Sequence, residues 1–263
     1  VENLSKSLAQ TSTNFLQFSY DGVITPIILP EIKEKTPAVI YGSKAFITQI
    51  HKNTDTNFQL YSYGMNNSSC SEYYPRMPKN LLLNKDYVFI SWGEFCRSYE
   101  YFFKIFNTNE LFIRPNSGYK QFTGQVVNLS NVEGELSFLD RVSSVWFDTL
   151  ILVAPAQKFN SDEYRFFIVD KKVISGSSYG WFEKRQSDVI PEECLEVAKI
   201  VAEQSYQLDS AYTCDVVKTS MGAKILEINS FSSAGFYACN IDEIIESINK
   251  LVIKEFNEVF VDS

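Results

Sequence analysis

The stretch KILEINSFSSAG, residues 224–235, decides the fold of this chain together with the run AYTCDVV at residues 211–217. Both runs are apolar and of β type, and the TSMG between them is typical of a turn. Glu227 and Asn229 interrupt the second run two positions apart, so a strand would place both side chains on one face. The sequence therefore predicts a β-hairpin with a polar face.

The register of this hairpin is expected to follow from its glycine. A three-residue loop that ends at Gly222 would put glycine in the left-handed position that it adopts easily, and would pair Thr219 with Ala223. Counting outward from that pair places Asp215 directly opposite Glu227. Two carboxylates would then face each other across the hairpin.

These carboxylates form a set of oxygen ligands with Asn229, which lies one step along the same face. Hard divalent cations such as Mg²⁺ prefer oxygen ligands and are usually bound alongside substrate phosphates. Facing carboxylates without a cation would repel each other. The alternative is that Asp215 and Glu227 belong to the solvated face of an amphipathic strand. The small polar run SFSSAG that follows Asn229 favours a site.

The composition is that of a globular protein with ample core material: 263 residues, of which 45% are hydrophobic and 21% charged. The net charge of −8 argues against a nucleic-acid binder, which would carry a basic patch. We expect no membrane span and no secretory signal, because no apolar run has the required length or position. The five cysteines show no C-x-x-C spacing, so reduced thiols and a cytoplasmic location are expected.

Missing motifs exclude several classes of chemistry. His51 is the only histidine, which argues against histidine-based triads and excludes H-E-x-x-H and three-histidine metal sites within one chain. The chain contains neither a G-x-x-x-x-G-K-[ST] phosphate loop nor a G-x-G-x-x-G dinucleotide loop. Any nucleotide chemistry must therefore rest on a different arrangement.

The first 110 residues have the pattern of a small α/β domain. Ser43 is the expected N-cap of its first helix. The pattern predicts strands at 14–22, 37–43 and 57–64, helices at 43–50 and 91–106, and a polar loop at 66–80.

The second part begins with LFIRPNSGYKQFTG, residues 111–124. Arg114 and Lys120 flank a flexible turn that contains glycine. Such a turn can fold over a polyphosphate, with main-chain N–H groups and the two cations sharing its charge. The alternative is a solvated surface hairpin with incidental charges.

The rest of the chain alternates strands and helices. The pattern predicts a short helix at 142–149, an apolar strand at 150–155, a hairpin at 163–179, and helices at 191–207 and 241–260. Glu163 and Arg165 share one face of the hairpin. Arg165 either extends from a sheet edge with its stem against apolar neighbours or faces a cleft beside Glu163. These elements predict an α+β fold with helices packed on one side of the sheet.

The order of these pieces resembles the ATP-grasp superfamily. It runs from IRP, a lysine and FTG through LILVAP and EYRFFIVDKKVISGSSY to a helix, and then to DVV and KILEINSFSSAGFY. More narrowly, it is similar to a divergent clade of small bacterial and phage ATP-grasp proteins that includes a eukaryotic assembly factor for translation initiation. The resemblance covers about residues 111–240. It implies an ATP-grasp fold with a small N-terminal α/β domain (1–110) before a two-lobed nucleotide-binding region (111–263).

The resemblance implies roles for the charged residues that match its motifs. Arg114 and Lys120 match cations that contact the ATP phosphates. Glu163 and Arg165 match an E-x-R pair, whose arginine is aimed at phosphate or at an acyl phosphate. Catalysis would rest on positioning and electrostatic stabilisation by the three cations. In many members a basic residue follows the second strand of this hairpin, where the present chain has SGSSY.

The resemblance also implies an adenine contact and a metal site. The main chain of the apolar strand would contact adenine, at Leu152, Val153 and Ala154. The Mg²⁺ ligands would be Asp215, Glu227 and Asn229.

The function that the resemblance implies is an ATP- and Mg²⁺-dependent ligase that joins a carboxylate to an amine through an acyl phosphate. Its partners would be ATP and a carboxylate–amine pair, with a protein, a peptide or a metabolite as acceptor, and neither nucleic acid nor a membrane. A second hypothesis is an ATP-binding assembly factor for a protein partner, without ligation. A third is phosphoryl transfer without ligation.

Overall fold

The computed structural model describes residues 2–10, 36–53, 59–66, 68–159, 161–180 and 186–260. The strand predicted at 14–22 lies outside the described residues. Within the described ranges, no helix combines the length and the apolar character that a membrane span requires.

The described part of the chain contains α-helices and β-strands in mixed order. The helices are α1 (Glu2–Gln10), α2 (Lys44–Asn53), α3 (Cys70–Tyr73), α4 (Trp92–Ile105), α5 (Val132–Val142), α6 (Glu192–Glu203) and α7 (Ile241–Phe260). The strands are β1 (Pro37–Val39), β2 (Gln59–Tyr61), β3 (Val88–Ser91), β4 (Glu110–Pro115), β5 (Gln125–Asn128), β6 (Leu150–Pro155), β7 (Glu163–Val169), β8 (Lys172–Tyr179), β9 (Gln186–Ser187), β10 (Ala211–Thr219) and β11 (Gly222–Ser230).

An antiparallel sheet of four strands has the order β3-β6-β4-β5. The central strand β6 is apolar throughout, so it can be covered on both faces. Helix α4 packs on one face, where its spacing brings Phe95 and Phe102 into a buried cluster with Val153. Ser91 is the N-cap of α4, because its hydroxyl accepts a hydrogen bond from the Glu94 N–H at 3.4 Å. The helix predicted at 91–106 is thereby confirmed.

A second antiparallel sheet has five strands in the order β11-β10-β7-β8-β9. The hairpin predicted at 163–179 is confirmed as β7 and β8. Val169 pairs with Lys172, which leaves Asp170 and Lys171 as a two-residue turn. Both turn residues have positive φ angles, 47° and 61°, as the favoured two-residue hairpin turn requires.

The hairpin of β10 and β11 has the predicted strands but a shorter loop. Thr219 pairs with Gly222 instead of Ala223, so the predicted three-residue loop is wrong. A register shift beside Asp215 then leaves one residue of β11 unpaired, as in a β-bulge. The two deviations compensate, and Asp215 lies opposite Glu227 as predicted. Gly222 has the left-handed backbone expected of it, with φ at +88°.

The helix predicted at 142–149 is wrong, because the helix lies earlier, at Val132–Val142. Its buried residues Val132, Leu136 and Leu139 follow helical spacing and pack into the cluster beneath the four-stranded sheet. The following segment contains a turn in which the Thr149 N–H donates to the Trp146 carbonyl at 2.9 Å.

The stretch predicted as a loop at 66–80 contains short helices. After α3 come two single turns of 3₁₀-helix, Tyr74–Arg76 and Lys79–Leu81. Pro75 suits the first turn of a helix, because its missing N–H would have no intrahelical partner there. This segment buries Tyr73 and Tyr74 completely or nearly so.

Helices cover both faces of the five-stranded sheet, so the predicted packing on one side is wrong. Phe166 and Ile168 of β7 share a buried cluster with α6. Phe167 and Val169, which point to the opposite face, share another with α7. Both faces of β7 are apolar in this part of the strand, and each therefore needs a cover.

The N-terminal part is built into the rest of the molecule. Strand β3 pairs with β6, and Tyr73, Tyr74 and Leu82 belong to the same buried cluster as α6. The Leu83 N–H donates to the Ile225 carbonyl at 2.9 Å. The division of the chain between residues 110 and 111 stays a prediction, although the two predicted parts share one sheet and one buried cluster.

A small parallel pair, β1 and β2, precedes these sheets. Helix α2 starts directly after Ser43, whose hydroxyl accepts a hydrogen bond from the Phe46 N–H at 3.2 Å. The predicted N-cap is confirmed. The cap fixes Lys44 at the first position of the helix.

Candidate functional site

Polar side chains of four neighbouring strands form one row across the five-stranded sheet. The row consists of Glu227 on β11, Asp215 on β10, Arg165 on β7 and Ser177 on β8, each directly opposite the next. Directly opposite residues point to the same face, with Cβ atoms about 4.5–5.5 Å apart. Asn229 lies one step along that face from Glu227. The structure therefore brings the predicted metal ligands and the predicted arginine together.

Asp215 and Arg165 form the centre of this row. The guanidinium donates two hydrogen bonds to the carboxylate, from Nε to Oδ1 at 2.8 Å and from Nη2 to Oδ2 at 2.7 Å. The Tyr179 hydroxyl and the Asn229 amide nitrogen also donate to Oδ2, each at 3.0 Å. Burial would lower the pKa of Arg165, but Asp215 raises it above its usual value, so the guanidinium keeps its charge.

Two tyrosines that the sequence did not single out enclose Arg165. The rings of Tyr179 and Tyr237 stack with centroids 4.4 Å apart, and the guanidinium carbon lies 5.1 Å from each centroid. Tyr237 has φ at +51°, which is uncommon outside glycine. Tyr179 ends β8, where the resemblance leads one to expect a basic residue. A hydroxyl and a cation–π contact are present there.

Glu227 joins two sheets through its ion pairs. Its Oε2 lies 3.3 Å from Arg114 Nη1, and its Oε1 lies 2.7 Å from Lys120 Nζ. Arg114 comes from β4 of the four-stranded sheet and is buried. Burial would raise the pKa of Glu227, but Arg114 and Lys120 outweigh it and lower the pKa to about 2. Both cations predicted from the sequence thus converge on a predicted metal ligand.

The turn that carries Lys120 is tightly held. The Lys120 N–H donates to the Ser117 carbonyl at 3.1 Å, and the Tyr119 N–H donates to the Ser117 hydroxyl at 3.2 Å. Lys120 has φ at +52°, a strained backbone for a residue with a Cβ atom. Strained residues of this kind cluster at functional sites, and here the strain lies beside a group of charges.

The N-terminal part encloses the same turn. The Asn116 carbonyl accepts from the Cys70 N–H at 2.8 Å, and Asn116 Oδ1 accepts from the Ser71 N–H at 2.7 Å. The hydroxyls of Thr48 and Tyr119 lie 2.9 Å apart. Lys44 also reaches the turn, and sequence reasoning gave it no role.

Glu163 lies at the other end of the site from Glu227. It is directly opposite Tyr179 on β8 and two residues before Arg165 on the same face. Burial raises the pKa of Glu163, and Asp215 raises it further, whereas Arg165 lowers it. Glu163 is therefore placed beside the arginine, as the E-x-R pattern implies, and away from the phosphate-loop cations.

The three residues predicted to contact adenine lie inside the four-stranded sheet. Leu152, Val153 and Ala154 have no exposed surface. Leu152 is opposite Arg114 on β4, whereas Val153 is flanked by strands on both sides. The structure places Leu152 beside a site cation but gives these residues no open edge along the strand. Their adenine role stays a prediction.

The predicted metal ligands fit a hard cation in two of three cases. Glu227 Oε1 is buried, and its contact with the Lys120 ammonium lacks hydrogen-bond geometry. Asn229 donates through its amide nitrogen, which leaves its oxygen as an acceptor. Asp215 already accepts hydrogen bonds on both oxygens. No group of three or more His, Cys, Asp or Glu suits a metal within the described residues, so phosphates or water would have to complete the ligand set.

The chain matches a family model that describes an ATP-grasp domain, the second family of one clade of such domains, over residues 100–247. The match covers more than half of the chain and includes both cations of the turn, the row and the facing carboxylates. No curated protein sequence matches the chain.

Several solved structures share the fold at low sequence identity. The D-cycloserine synthetase DcsG superposes with a TM-score of 0.61 at 12% identity, over 96% of this chain and 94% of that chain. The D-alanine-D-alanine ligase from Coxiella burnetii gives 0.57 at 12%, over 84% and 70%. The D-alanine–D-alanine ligase from Bacillus anthracis complexed with ATP gives 0.51 at 15%, over 76% and 72%.

Proposed function

The chain belongs to the ATP-grasp family, and on that basis we propose that it is an ATP-dependent ligase that joins a carboxylate to an amine. The observation that supports this most directly is the convergence of Arg114, Lys120 and Glu227 from two sheets. Buried cations beside a carboxylate with a free oxygen suit a ligand that combines phosphate with a divalent cation. The proteins of similar fold include two ligases and a synthetase.

Arg114 and Lys120 bind the phosphates of ATP in this proposal. Arg114 is buried, so its guanidinium is fixed and needs little reorganisation when the ligand arrives. Lys120 is about half exposed and lies on a turn, so it can follow the phosphate. The main chain near Leu152, Val153 and Ala154 holds adenine.

Arg165 stabilises the transferring phosphoryl group. The substrate carboxylate attacks the γ-phosphorus of ATP, the bond to the β–γ bridging oxygen breaks, and ADP leaves. The amine then attacks the acyl carbon and phosphate leaves, while the amine's proton passes to phosphate or solvent. Arg165 is held by Asp215 and by two tyrosine rings, so its charge is oriented before the reaction begins.

Glu227 and Asn229 would hold Mg²⁺, with Asp215 as a third ligand once its oxygens are shared. The cation, when bound, neutralises charge on the phosphates during transfer. Glu163 orients Arg165 from the neighbouring position on β7. The acceptor is a protein, a peptide or a metabolite, and the N-terminal part and the loops that face the site select it.

The proposal is tested by a calorimetric titration of ATP in the presence of Mg²⁺, followed by an assay of ADP release with panels of carboxylates and amines. Wild type is expected to bind ATP and, with the correct pair, to form ADP and a ligated product. Glu227→Ala is expected to bind ATP weakly and to lose about 10²–10³ in rate. Glu246→Ala removes a carboxylate that is exposed on α7 and should behave as wild type.

The outcomes separate the proposal from its rivals. Product formation that is unaffected by Glu227→Ala would contradict the assigned site. ATP binding without any product, together with a copurifying protein, would favour the assembly factor instead. A stable phosphorylated product would show phosphoryl transfer without ligation.

A further inference from the structure

Lys44 is a half-buried cation that no carboxylate pairs with in the part of the chain that the structure describes. Its ammonium donates a hydrogen bond to the Ser68 hydroxyl at 3.0 Å and lies 5.6 Å from the centroid of the Tyr119 ring. A cation withdrawn from water without an anion is costly, since neither contact neutralises its charge. Its partner is therefore expected to be a ligand.

The position of Lys44 identifies where that ligand binds. Its ammonium lies against the turn that carries Lys120, so closely that a Cβ added to Gly118 would come within 2.4 Å of Nζ. The same Cβ would come within 2.3 Å of the Ser68 hydroxyl. Glycine at this position thus lets the side chains of Lys44 and Ser68 approach the turn.

The charges around this turn do not balance. Glu227 forms ion pairs with Arg114 and Lys120, and Lys44 adds a further positive charge on the side of the N-terminal part. The cluster therefore has an excess of positive charge, in a chain whose net charge is −8. A polyanion would neutralise that excess.

We propose that Lys44 is a third phosphate-binding cation, and that its ammonium, held by Ser68 over the turn at 116–120, binds the terminal phosphate of ATP. This rests on the proposed function, which assigns Arg114 and Lys120 to the phosphates. The proposal extends the nucleotide site to the N-terminal part, so that helix α2 and the turn enclose the polyphosphate from two sides. Lys44 would contact the group that is transferred.

The test compares Lys44→Met and Lys44→Arg with wild type by calorimetry, using ATP, ADP and AMP with Mg²⁺. Lys44→Met is expected to weaken ATP binding about 10- to 100-fold, the usual loss for a hydrogen bond to a charged group. AMP binding should be unchanged, because AMP lacks the terminal phosphate. Lys44→Arg keeps the charge and should recover most of the affinity for ATP.

Lys52→Met is the matched control, since Lys52 is an exposed lysine in the last turn of the same helix. It should bind ATP as wild type does. Thermal unfolding of each variant shows whether the fold is intact. Lys44 is only half-buried, so we expect Lys44→Met to fold.

Each result separates this inference from the proposed function. If wild type and Lys44→Met bind ATP equally, the role of Lys44 is wrong and the ligase proposal stands. An equal loss for ATP and AMP would also overturn the role, since it would indicate a general effect on the site. If Lys44→Met loses ATP selectively but wild type forms no product with any pair, Lys44 binds phosphate and ligation is wrong. If wild type binds no nucleotide, both are overturned.

Discussion

Arg165 depends on Asp215 for the neutralisation of a charge that is almost entirely buried. The two side chains are 10% and 2% exposed. Removing one partner of a buried pair leaves an uncompensated charge, which commonly costs about 3–5 kcal/mol. We therefore expect Asp215→Ala to lower the free energy of unfolding by about that amount, as measured by denaturant titration.

Asp170→Ala is the control for this prediction. Asp170 pairs with Lys254 at the surface, where both side chains are more than half exposed. Such a pair contributes at most about 1 kcal/mol. Equal stabilities of Asp215→Ala and Asp170→Ala would contradict the buried pair. The same reasoning makes Asp215→Asn the better variant for activity measurements.

Lys44 makes ATP binding sensitive to alkaline pH. Burial lowers its pKa to about 8, with help from Lys120 and Arg114 and against the opposing effect of Glu227. Because the free ammonium loses its proton above that pH, affinity for ATP should fall as pH rises through 8, by about tenfold at pH 9. Calorimetry at several pH values measures the fall.

Lys44→Arg supplies the control, since arginine keeps its charge throughout this range. Its affinity for ATP should stay constant between pH 7.5 and 9. A parallel decline in wild type and Lys44→Arg would assign the pH dependence to another group.

The charged row could be predicted from sequence, whereas its enclosing residues could not. Asp215, Glu227 and Asn229 lie on adjacent strands of one hairpin, so local spacing was enough to bring them together. Tyr237 and Lys44 reach the site from separate elements, and no local pattern states which distant segment packs against a strand. The SGSSY run that ends at Tyr179 was informative only as a departure from the family pattern.

At the scale of elements, the turn of the β10–β11 hairpin depends on one backbone conformation. Gly222 has φ at +88°, and nothing lies within 4 Å of the position where a Cβ would be added. Gly222→Ala therefore meets no steric contact and should cost about 1–2 kcal/mol through backbone strain alone. Chemical denaturation measures this loss.

Two variants test the cause of that loss. Gly222→Asn should be less destabilising than Gly222→Ala, because asparagine tolerates left-handed backbone. Met221→Ala, at the exposed neighbouring position, should leave stability unchanged. If alanine and asparagine at 222 cost the same, backbone strain is not the cause.

Elements with long regular patterns were predictable and compensating irregularities were not. The C-terminal helix has the predicted bounds, because its apolar spacing continues over Ile241–Phe260. The bulge in β11 has no sequence signature, and it happened to cancel the error in loop length. The spacing of Val132, Leu136 and Leu139 would have located α5, which the prediction for 142–149 missed.

At the scale of the molecule, one buried cluster joins both large sheets with the N-terminal part. Its members include Tyr74 and Leu82 from that part, Leu152 from one sheet, and Phe166 and Ile225 from the other. A fragment of residues 111–263 would also lose β3, which pairs with β6. We expect this fragment to show no cooperative thermal transition by circular dichroism.

The matched fragment 68–263 keeps the short helices, β3 and α4. It should unfold with more cooperativity than fragment 111–263. A sharp transition in the shorter fragment would instead support an autonomous second domain from residue 111. Sequence alone predicted such a boundary from the order of patterns, but burial across it depends on tertiary packing that no local pattern reports.

The ion pairs of Glu227 have a consequence for selectivity among ligands. In the ligand-free protein the carboxylate and its two cations already neutralise one another, so a lone anion must compete with Glu227 and a lone metal ion must compete with Arg114 and Lys120. A ligand that brings phosphate and metal together lets all partners exchange at once. Each component then strengthens the binding of the other by an equal factor, as thermodynamic linkage requires. The protein would in this way disregard free phosphate and free magnesium, both abundant in cells, and respond to their complex.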